Sequence, residues 1–275
     1  MANVITGQTM RIVSANLNGI RAAARKGFFD WFARQDIDVL CIQETKAQEN
    51  QLEDPVFCPS GYHCYYHDAQ KKGYSGVAIY SRIQPKKIIK GIGWSDIDNE
   101  GRYIEAQFDG LSVISLYMHS GSASEERQTI KFDFMQRFGD YMKSLRRKRR
   151  EYIICGDWNI VHKEIDIKNW KGNQKNSGCL PEERQWLDYV FSTGQHEKDG
   201  LGYIDAFRQV NQEPHQYTWW SNRGNARANN VGWRIDYQII TPNLTSSVQS
   251  ASVFKDEWYS DHAPLIIDYD YEIKA

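Results

Sequence analysis

Ile153-Ile154-Cys155-Gly156-Asp157-Trp158-Asn159 is a short apolar run that stops abruptly in a glycine, a carboxylate and an amide. That is how a buried strand delivers polar groups to the mouth of a site. The same event recurs along the chain. Ile12-Val13-Ser14-Ala15 ends in Asn16 and Asn18, Val39-Leu40-Cys41-Ile42 runs into Gln43-Glu44-Thr45, and Val113-Ile114-Ser115-Leu116 ends in Tyr117. Near the C-terminus, Ser260-Asp261-His262 leads directly into Ala263-Pro264-Leu265-Ile266-Ile267. Several strands that each present an oxygen or an imidazole at one end build one acidic, metal-competent site.

Working outward, further strand-like runs fall near 74–81, 103–108, 234–240 and 248–254, many β-branched and aromatic with turn residues between them. The clearest helix is expected to start near Ser122, which has capping-box spacing to Glu125. Ile130, Phe134, Phe138, Tyr141 and Leu145 then form one apolar stripe. The helix ends in Arg146-Arg147-Lys148-Arg149-Arg150, read as a solvated end whose cations suit the negative pole of the dipole. A second helix is expected after Leu180-Pro181-Glu182-Glu183-Arg184, with proline in its first turn. Between Lys163 and Gly178 the chain is polar and rich in Lys, Asn and Gly, as in a long structured loop. Sheets dominate, with helices interspersed. Two sheets packed face to face, each covered outside by helices, bury such strands on both faces. No repeat or low-complexity linker divides the chain, so one domain spanning 1–275 is expected, with a short N-terminal extension at 1–9.

The 275 residues suffice for a sizeable core, and 41% hydrophobic and 25% charged residues are ordinary for a soluble globular protein. No apolar run approaches a membrane span, and Met1 to Gln8 lack the layout of a signal peptide. A cytoplasmic address is expected, nucleoid-associated in a bacterium, with no membrane partner. None of the five cysteines sits in a CxxC pair. A disulfide framework or a zinc site is therefore not expected, in keeping with a reducing compartment. The net charge of −1 is not that of a protein that coats DNA. Acidic residues grouped in a site and basic residues on its rim would cancel in that sum, so a nucleic-acid enzyme stays open.

Glu44, Asp157, Asp236 and Asp261 each lie in or beside an apolar run, joined by Asn16, Asn18 and Asn159. One such carboxylate is usually a turn residue or a helix cap; the set together is harder to dismiss. Hard oxygen ligands favour Mg²⁺ or Mn²⁺, and Mg²⁺ takes only one or two carboxylates plus waters and phosphate. His262 follows an aspartate and precedes a proline that opens a strand, and Asp236 is the candidate partner that orients its ring. His162, just past the Asp157 cluster, is a weaker candidate for a supporting role. Among nine tryptophans, Trp219, Trp220 and Trp233 flank the basic stretch Ser221–Arg227. Core packing explains most aromatics, yet aromatics beside arginines in a loop also suit an unstacked nucleotide.

Together these residues resemble the exonuclease III family of apurinic/apyrimidinic endonucleases, within the endonuclease/exonuclease/phosphatase superfamily. The likeness runs from about Arg11 to about Asp268. It is carried by Asn16-Leu17-Asn18-Gly19-Ile20-Arg21, Gln43-Glu44-Thr45-Lys46, Gly73-Tyr74-Ser75-Gly76-Val77 and Gly156-Asp157-Trp158-Asn159. Further on, Leu180–Arg184, Trp233-Arg234-Ile235-Asp236-Tyr237 and Ser260-Asp261-His262-Ala263-Pro264 continue it in family order. The resemblance implies a four-layer α/β sandwich, DNase I-like, with two mixed sheets flanked by helices. It implies a DNA-repair hydrolase of base excision repair, acting as a monomer on double-stranded DNA with abasic sites or 3′-blocked ends. Such an enzyme cuts 5′ to the abasic site to leave a 3′-hydroxyl, and it trims 3′ ends and degrades 3′→5′ with Mg²⁺, for which Mn²⁺ substitutes.

Carried over by residue, Glu44 holds the metal with Asn16, Asn18 and Asp261 beside it, Asp261 serving either a metal or the leaving group. Asp157 orients or deprotonates the attacking water, Asn159 positions it and Tyr117 binds the phosphate. His262, held by Asp236, stabilises charge on the phosphoryl oxygens. Asn176, Ser177 and Gly178 line the pocket of the baseless sugar, and Trp219, Arg223, Arg227 and Trp233 belong to the DNA-contact loops. One departure is His119, where many relatives have proline two residues after the tyrosine, so a stiff turn is expected to loosen here. The alternatives are a specialist 3′→5′ exonuclease, a superfamily phosphodiesterase acting on phosphoinositide or sphingomyelin, and a non-catalytic damage-binding module. Neither exposed apolar loops nor a broken catalytic set is evident to favour the last two.

Overall fold

The structure is a computed structural model and describes residues 9–193 and 200–274. Two six-stranded sheets form its centre. From edge to edge the first runs Val248–Val253, Leu265–Asp270, Thr9–Asn16, Val39–Gln43, Val77–Ser81, His63–His67. The second runs Lys87–Lys90, Tyr103–Gln107, Leu111–Tyr117, Glu151–Asp157, Asp236–Ile240, Ile204–Asp205. Each is mixed: Thr9–Asn16 pairs parallel to Val39–Gln43, and Leu111–Tyr117 parallel to Glu151–Asp157, while the other pairs are antiparallel.

Successive residues of one strand enter different cores, which is why the runs read as continuously apolar rather than alternating. Ile12, Cys41, Ile79, Val113, Ile153 and Ile267 meet between the sheets. Val13, Leu40, Ile42 and Tyr80 instead pack on the helices Ile20–Arg25 and Phe28–Arg34 through Phe28, Trp31 and Phe32. Ile114, Ile154 and Tyr237 face the helices Glu125–Arg146 and Pro181–Phe191 through Phe134, Phe138, Met142 and Leu187. Helix, sheet, sheet, helix is the four-layer sandwich expected from the sequence. Polar staples fix the sheets against each other: Gln43 Nε2 donates to Ser115 Oγ at 3.0 Å, and Gln238 Nε2 donates to the Ile12 carbonyl at 2.9 Å.

Register gathers the polar strand ends. Asn16 pairs with Gln43, Tyr117 with Asp157, and Asp157 with Asp236. Gly156 is required here, because a Cβ on it would lie 2.0 Å from the Leu116 carbonyl oxygen.

Some expectations shift. The long helix begins at Glu125 with Ser124 as its cap, accepting from the Arg127 N–H at 3.2 Å; Ser122 instead shares a hydrogen bond with Ser120. Arg150, read as part of a solvated end, donates to the Phe108 and Leu111 carbonyls at 2.6 and 2.7 Å. The strands His63–His67 and Lys87–Lys90 went unread, because they lie at sheet edges with half-exposed side chains and carry no continuous apolar run. Cys58 and Cys64 form a disulfide, against expectation, because the turn between them returns the chain to a Cα separation of 5.8 Å. The step from cysteine usage to a reducing compartment therefore loses its ground. Among the described residues no helix is long and apolar enough to cross a membrane.

Candidate active site

Six strand ends and their loops deliver the polar residues to one place. Asn16 Nδ2 bridges two carboxylates, donating to Glu44 Oε1 and to Asp157 Oδ2, each at 2.9 Å. Its Oδ1 accepts the Asn18 N–H at 2.9 Å. Asn18 Nδ2 in turn reaches Asp261 Oδ1 at 3.0 Å, and Asp261 Oδ2 accepts the Trp219 indole N–H at 3.1 Å. His262 Nδ1 lies 2.9 Å from Asp236 Oδ2, and Nε2 lies 3.8 Å from Asp157 Oδ2. The Asp236 N–H and its neighbour at Ile235 both donate to Thr218 Oγ1, at 3.2 and 3.1 Å.

The loops that follow the strands are bent sharply. Asn18, Glu44, Lys46 and Asn159 adopt φ of +46°, +52°, +47° and +51°. Non-glycine residues hold that left-handed conformation only where their surroundings over-determine it. At Asn159 the backbone N–H donates to Asp157 Oδ1 and Nδ2 donates to the Met118 carbonyl, both at 2.9 Å.

Burial raises the Asp157 carboxyl, the charges of Asp236 and Glu44 add to the rise, and His262 opposes it. Such a carboxylate binds a proton far more readily than an exposed one. For His262 burial acts downward, but Asp236 and Asp157 outweigh it and hold the imidazole well above its ordinary value. With Nδ1 bonded to Asp236, Nε2 is the N–H left to face the cleft. Burial also raises the Tyr117 hydroxyl, helped by Glu44 and opposed by Arg102, so it stays a donor. The Arg102 guanidinium stacks 4.7 Å from the Tyr117 ring centre. Burial acts to raise Asp261, but His262 and the bonds from Trp219, Asn18 and Ser260 outweigh it and keep the group ionised.

A ligand atom from each of Glu44, Asp157 and His262 lies within 4.8 Å of the others. Carboxylate oxygens at this spacing fit a hard divalent cation. Lys46 Nζ stands 2.9 Å from Glu44 Oε2, a positive charge where the carboxylate faces outward. Asn16 spends Nδ2 on both carboxylates, and its Oδ1 accepts the Asn18 backbone N–H. Asp261 stands across Asn18 from Glu44 and outside that group of three.

These residues open onto a cleft of about 920 Å³. Its far wall includes Asn176, Ser177 and Gly178, with Trp219, Arg223 and Trp233 on the rim. Gly178 is tight: a Cβ would come within 3.0 Å of the Asn159 carbonyl and 3.2 Å of the Trp233 ring. Arg227 is not part of the lining. Its guanidinium lies between the Trp220 and Trp258 rings, 4.7 and 4.6 Å from their centres, and donates to the Ser260 carbonyl at 2.9 Å. His162 is also apart, bonded to Asp188 at 2.8 Å. The loop at His119 is pinned rather than loosened: the ring is 1% exposed, packs on Phe134 and lies 3.2 Å from Glu100.

Lys131 and Glu183 were missed. Both are fully buried behind the cleft and 2.6 Å apart. The signals were a lysine where the helix's apolar spacing calls for a core residue and the place of Glu183 in the motif Leu180–Arg184. Thr218 and Lys46 carried no signal of their own.

Residues 13–262 match the sequence pattern of the endonuclease/exonuclease/phosphatase family. An exodeoxyribonuclease of Bacillus subtilis (strain 168) is 36% identical over 258 residues, covering 93% of this chain and 98% of the relative. The DNA repair nuclease APEX1 of Danio rerio is 35% identical over 261 residues, covering 94% of this chain and 81% of the relative. Among solved structures, a 3′-5′ exonuclease (NExo) from Neisseria meningitidis superposes with a TM-score of 0.84 at 26% identity. That superposition spans 95% of this chain and 100% of the other.

Proposed function

The chain belongs to the endonuclease/exonuclease/phosphatase family and is a nuclease of the DNA-repair kind, and from that premise we propose that it cuts duplex DNA on the 5′ side of abasic sites. The cut leaves a 3′-hydroxyl. The same site trims blocked 3′ ends and removes nucleotides 3′→5′, and the whole chain works as one monomeric domain. The observation that carries this reading is the convergence of Glu44, Asp157 and His262 within 4.8 Å in a cleft that Ser177 and Gly178 help to line. A sugar without a base fits beside Ser177 and Gly178, where a bulky wall would exclude it.

In the reaction a water oxygen bonds to phosphorus as the bond to the 3′ oxygen of the upstream nucleotide breaks. Asp157 takes the water's proton. Asn159, whose Nδ2 is spent on Met118, offers Oδ1 to hold that water in line. The His262 imidazolium, kept charged and oriented by Asp236, donates from Nε2 to a phosphoryl oxygen. Tyr117 donates its hydroxyl to the same phosphate. Glu44 would anchor a magnesium ion, for which manganese would substitute, with Asn18 and Asp261 beside it and Asn16 bracing the carboxylates. Bound there, the ion would neutralise charge on the phosphoryl oxygens. Asp261 is assigned to the side of the leaving oxygen; because it is ionised it donates no proton, and the departing 3′ oxygen takes one from solvent water to become the 3′-hydroxyl.

The test is gel-resolved cleavage of a duplex with one central abasic analogue, with Mg²⁺ and with EDTA, beside an undamaged duplex with a recessed 3′ end. One Mg²⁺-dependent cut on the 5′ side of the lesion is expected. Shortening from the 3′ end with the lesion left intact would mean a specialist exonuclease.

A further inference from the structure

Behind the cleft lies a charged pair that touches neither the cleft nor solvent. Lys131, on the helix Glu125–Arg146, donates from Nζ to the Asn159 carbonyl at 2.7 Å and to Glu183 Oε1 at 2.6 Å. Glu183, on the helix Pro181–Phe191, accepts at its other oxygen from the backbone N–H of Gly178 at 2.6 Å and of Leu180 at 3.0 Å. Gln128 adds a donor to Oε1 at 3.1 Å. The Val161 N–H closes the circuit on the Gly178 carbonyl at 2.7 Å.

We infer that Lys131 and Glu183 are a positioning pair that sets the spacing between the loop of Asp157 and Asn159 and the wall of Ser177 and Gly178. This deepens the reading above and rests on it for the substrate. Two arguments carry it. First, Asn159 is held in left-handed backbone from both sides, its N–H by Asp157 and its carbonyl by Lys131. Withdrawing Lys131 frees the carbonyl and lets the peptide turn, which moves the amide that faces the water. Second, a buried ion pair is a poor device for stability alone, since well-packed apolar residues often serve as well or better. What apolar residues cannot do is hold a carbonyl of one loop and two N–H groups of another to a fixed separation. Lys131 and Glu183 reach those groups at opposite ends of one salt bridge.

A misplacement of about 1 Å at a reacting group costs about a hundredfold in rate. Lys131→Met and Glu183→Gln are therefore each expected to lower the saturating single-turnover rate on the abasic duplex about a hundredfold, with KM little changed. The recessed 3′ end, which does not use the wall, loses less. The double variant should be no slower than the slower single variant, because both break one device. Lys131→Arg, which keeps a cationic donor, should recover most of the rate.

Full-length proteins are compared, with folding verified by near-ultraviolet circular dichroism. Three results would overturn the inference: rates unchanged in folded single variants, a loss carried by KM, or single losses that multiply in the double variant. If a single variant does not fold, the double variant leaves less unpaired charge and decides the matter. It should fold and still be slow, and a wild-type rate there would overturn the inference. A wild-type chain that trims ends but never cuts at the lesion would sink the abasic-site reading instead. The pair is then judged on the recessed end, where a lower rate at unchanged KM supports it and an unchanged rate overturns it.

Discussion

The strand ends and the loops around them are held by different means. Asp157, Asp236 and His262 are 1%, 1% and 5% exposed, and each is tied to a partner distant in the chain. The rim at Arg223 is exposed and held only by local bonds, its N–H donating to Ser221 Oγ at 3.2 Å and its carbonyl accepting from the Ala226 N–H at 3.3 Å. Between them stands the wall at Gly178, neither a strand end nor free, because Glu183 grips its N–H from behind. The lesson is a division of labour. Chemistry sits where sheet register fixes distances, and recognition sits on loops that can differ between proteins without disturbing it. The buried pair joins the two from behind, alongside the Val161 N–H on the Gly178 carbonyl and the Trp219 indole on Asp261.

The largest expected effect lies at the strand ends. Asp157→Asn or His262→Asn should lower the chemical step about a thousandfold on every DNA substrate, as loss of a general acid or base does, with binding little affected. Rapid-quench measurement of one turnover checks this, and a chemical step unchanged by Asp157→Asn would remove that residue as the base. Next comes the wall. Gly178→Leu places a Cβ against the Asn159 carbonyl and the Trp233 ring at a φ of +90°. It should cut incision at the abasic analogue by at least about tenfold more than trimming. Equal losses would move the abasic pocket elsewhere.

The rim should separate two arginines that look alike in sequence. Arg223→Ala should weaken DNA binding on all sequences and reduce the slope of log affinity against log salt by about one. Arg227→Ala, whose side chain is stacked between two indoles, should instead cost about 1 kcal/mol of stability and leave that slope unchanged. Titrations at several salt concentrations, paired with urea unfolding, distinguish the two.

The smallest effect concerns pH. Burial pulls the His119 imidazole down to about 4 from the usual 6.5, with Arg102 adding to it against Glu100. Glu100 is pushed up by burial, but His119 and Arg102 prevail and hold it at about 2, below its usual 4.5. Both folded values are depressed, so both groups stabilise the fold above their unfolded values and lose that contribution as pH falls. The His119 part fades from 6.5 towards about 4, ahead of the Glu100 part, which fades below 4.5. Thermal unfolding at pH 7 and pH 5 should therefore show a smaller acid loss in His119→Gln than in the wild type. Identical losses would mean that His119 is protonated in the folded protein.

The fold and the floor of the site were legible for one physical reason. A strand buried on both faces must be apolar throughout, so the polar residue at its end stands out, as Asp157 does after Ile153-Ile154-Cys155. Edge strands such as Lys87–Lys90 give no such contrast. The cap at Ser124 was misplaced because Ser122 offers the same chemistry two residues earlier, and only the backbone decides between them. Loop sequence says which residues are polar but not which way they turn, so it could not show that Arg227 packs on Trp220 and Trp258. Lys131 was unreadable as a partner of Glu183 because 52 residues separate them and only the packing of two helices brings them together.

The most direct measurement takes the ratio of single-turnover rates on the abasic duplex and the recessed 3′ end, for Asp157→Asn and Gly178→Leu side by side. The division of labour requires Asp157→Asn to lower both rates and leave their ratio intact, while Gly178→Leu collapses the ratio. A ratio altered by Asp157→Asn and preserved by Gly178→Leu would contradict it.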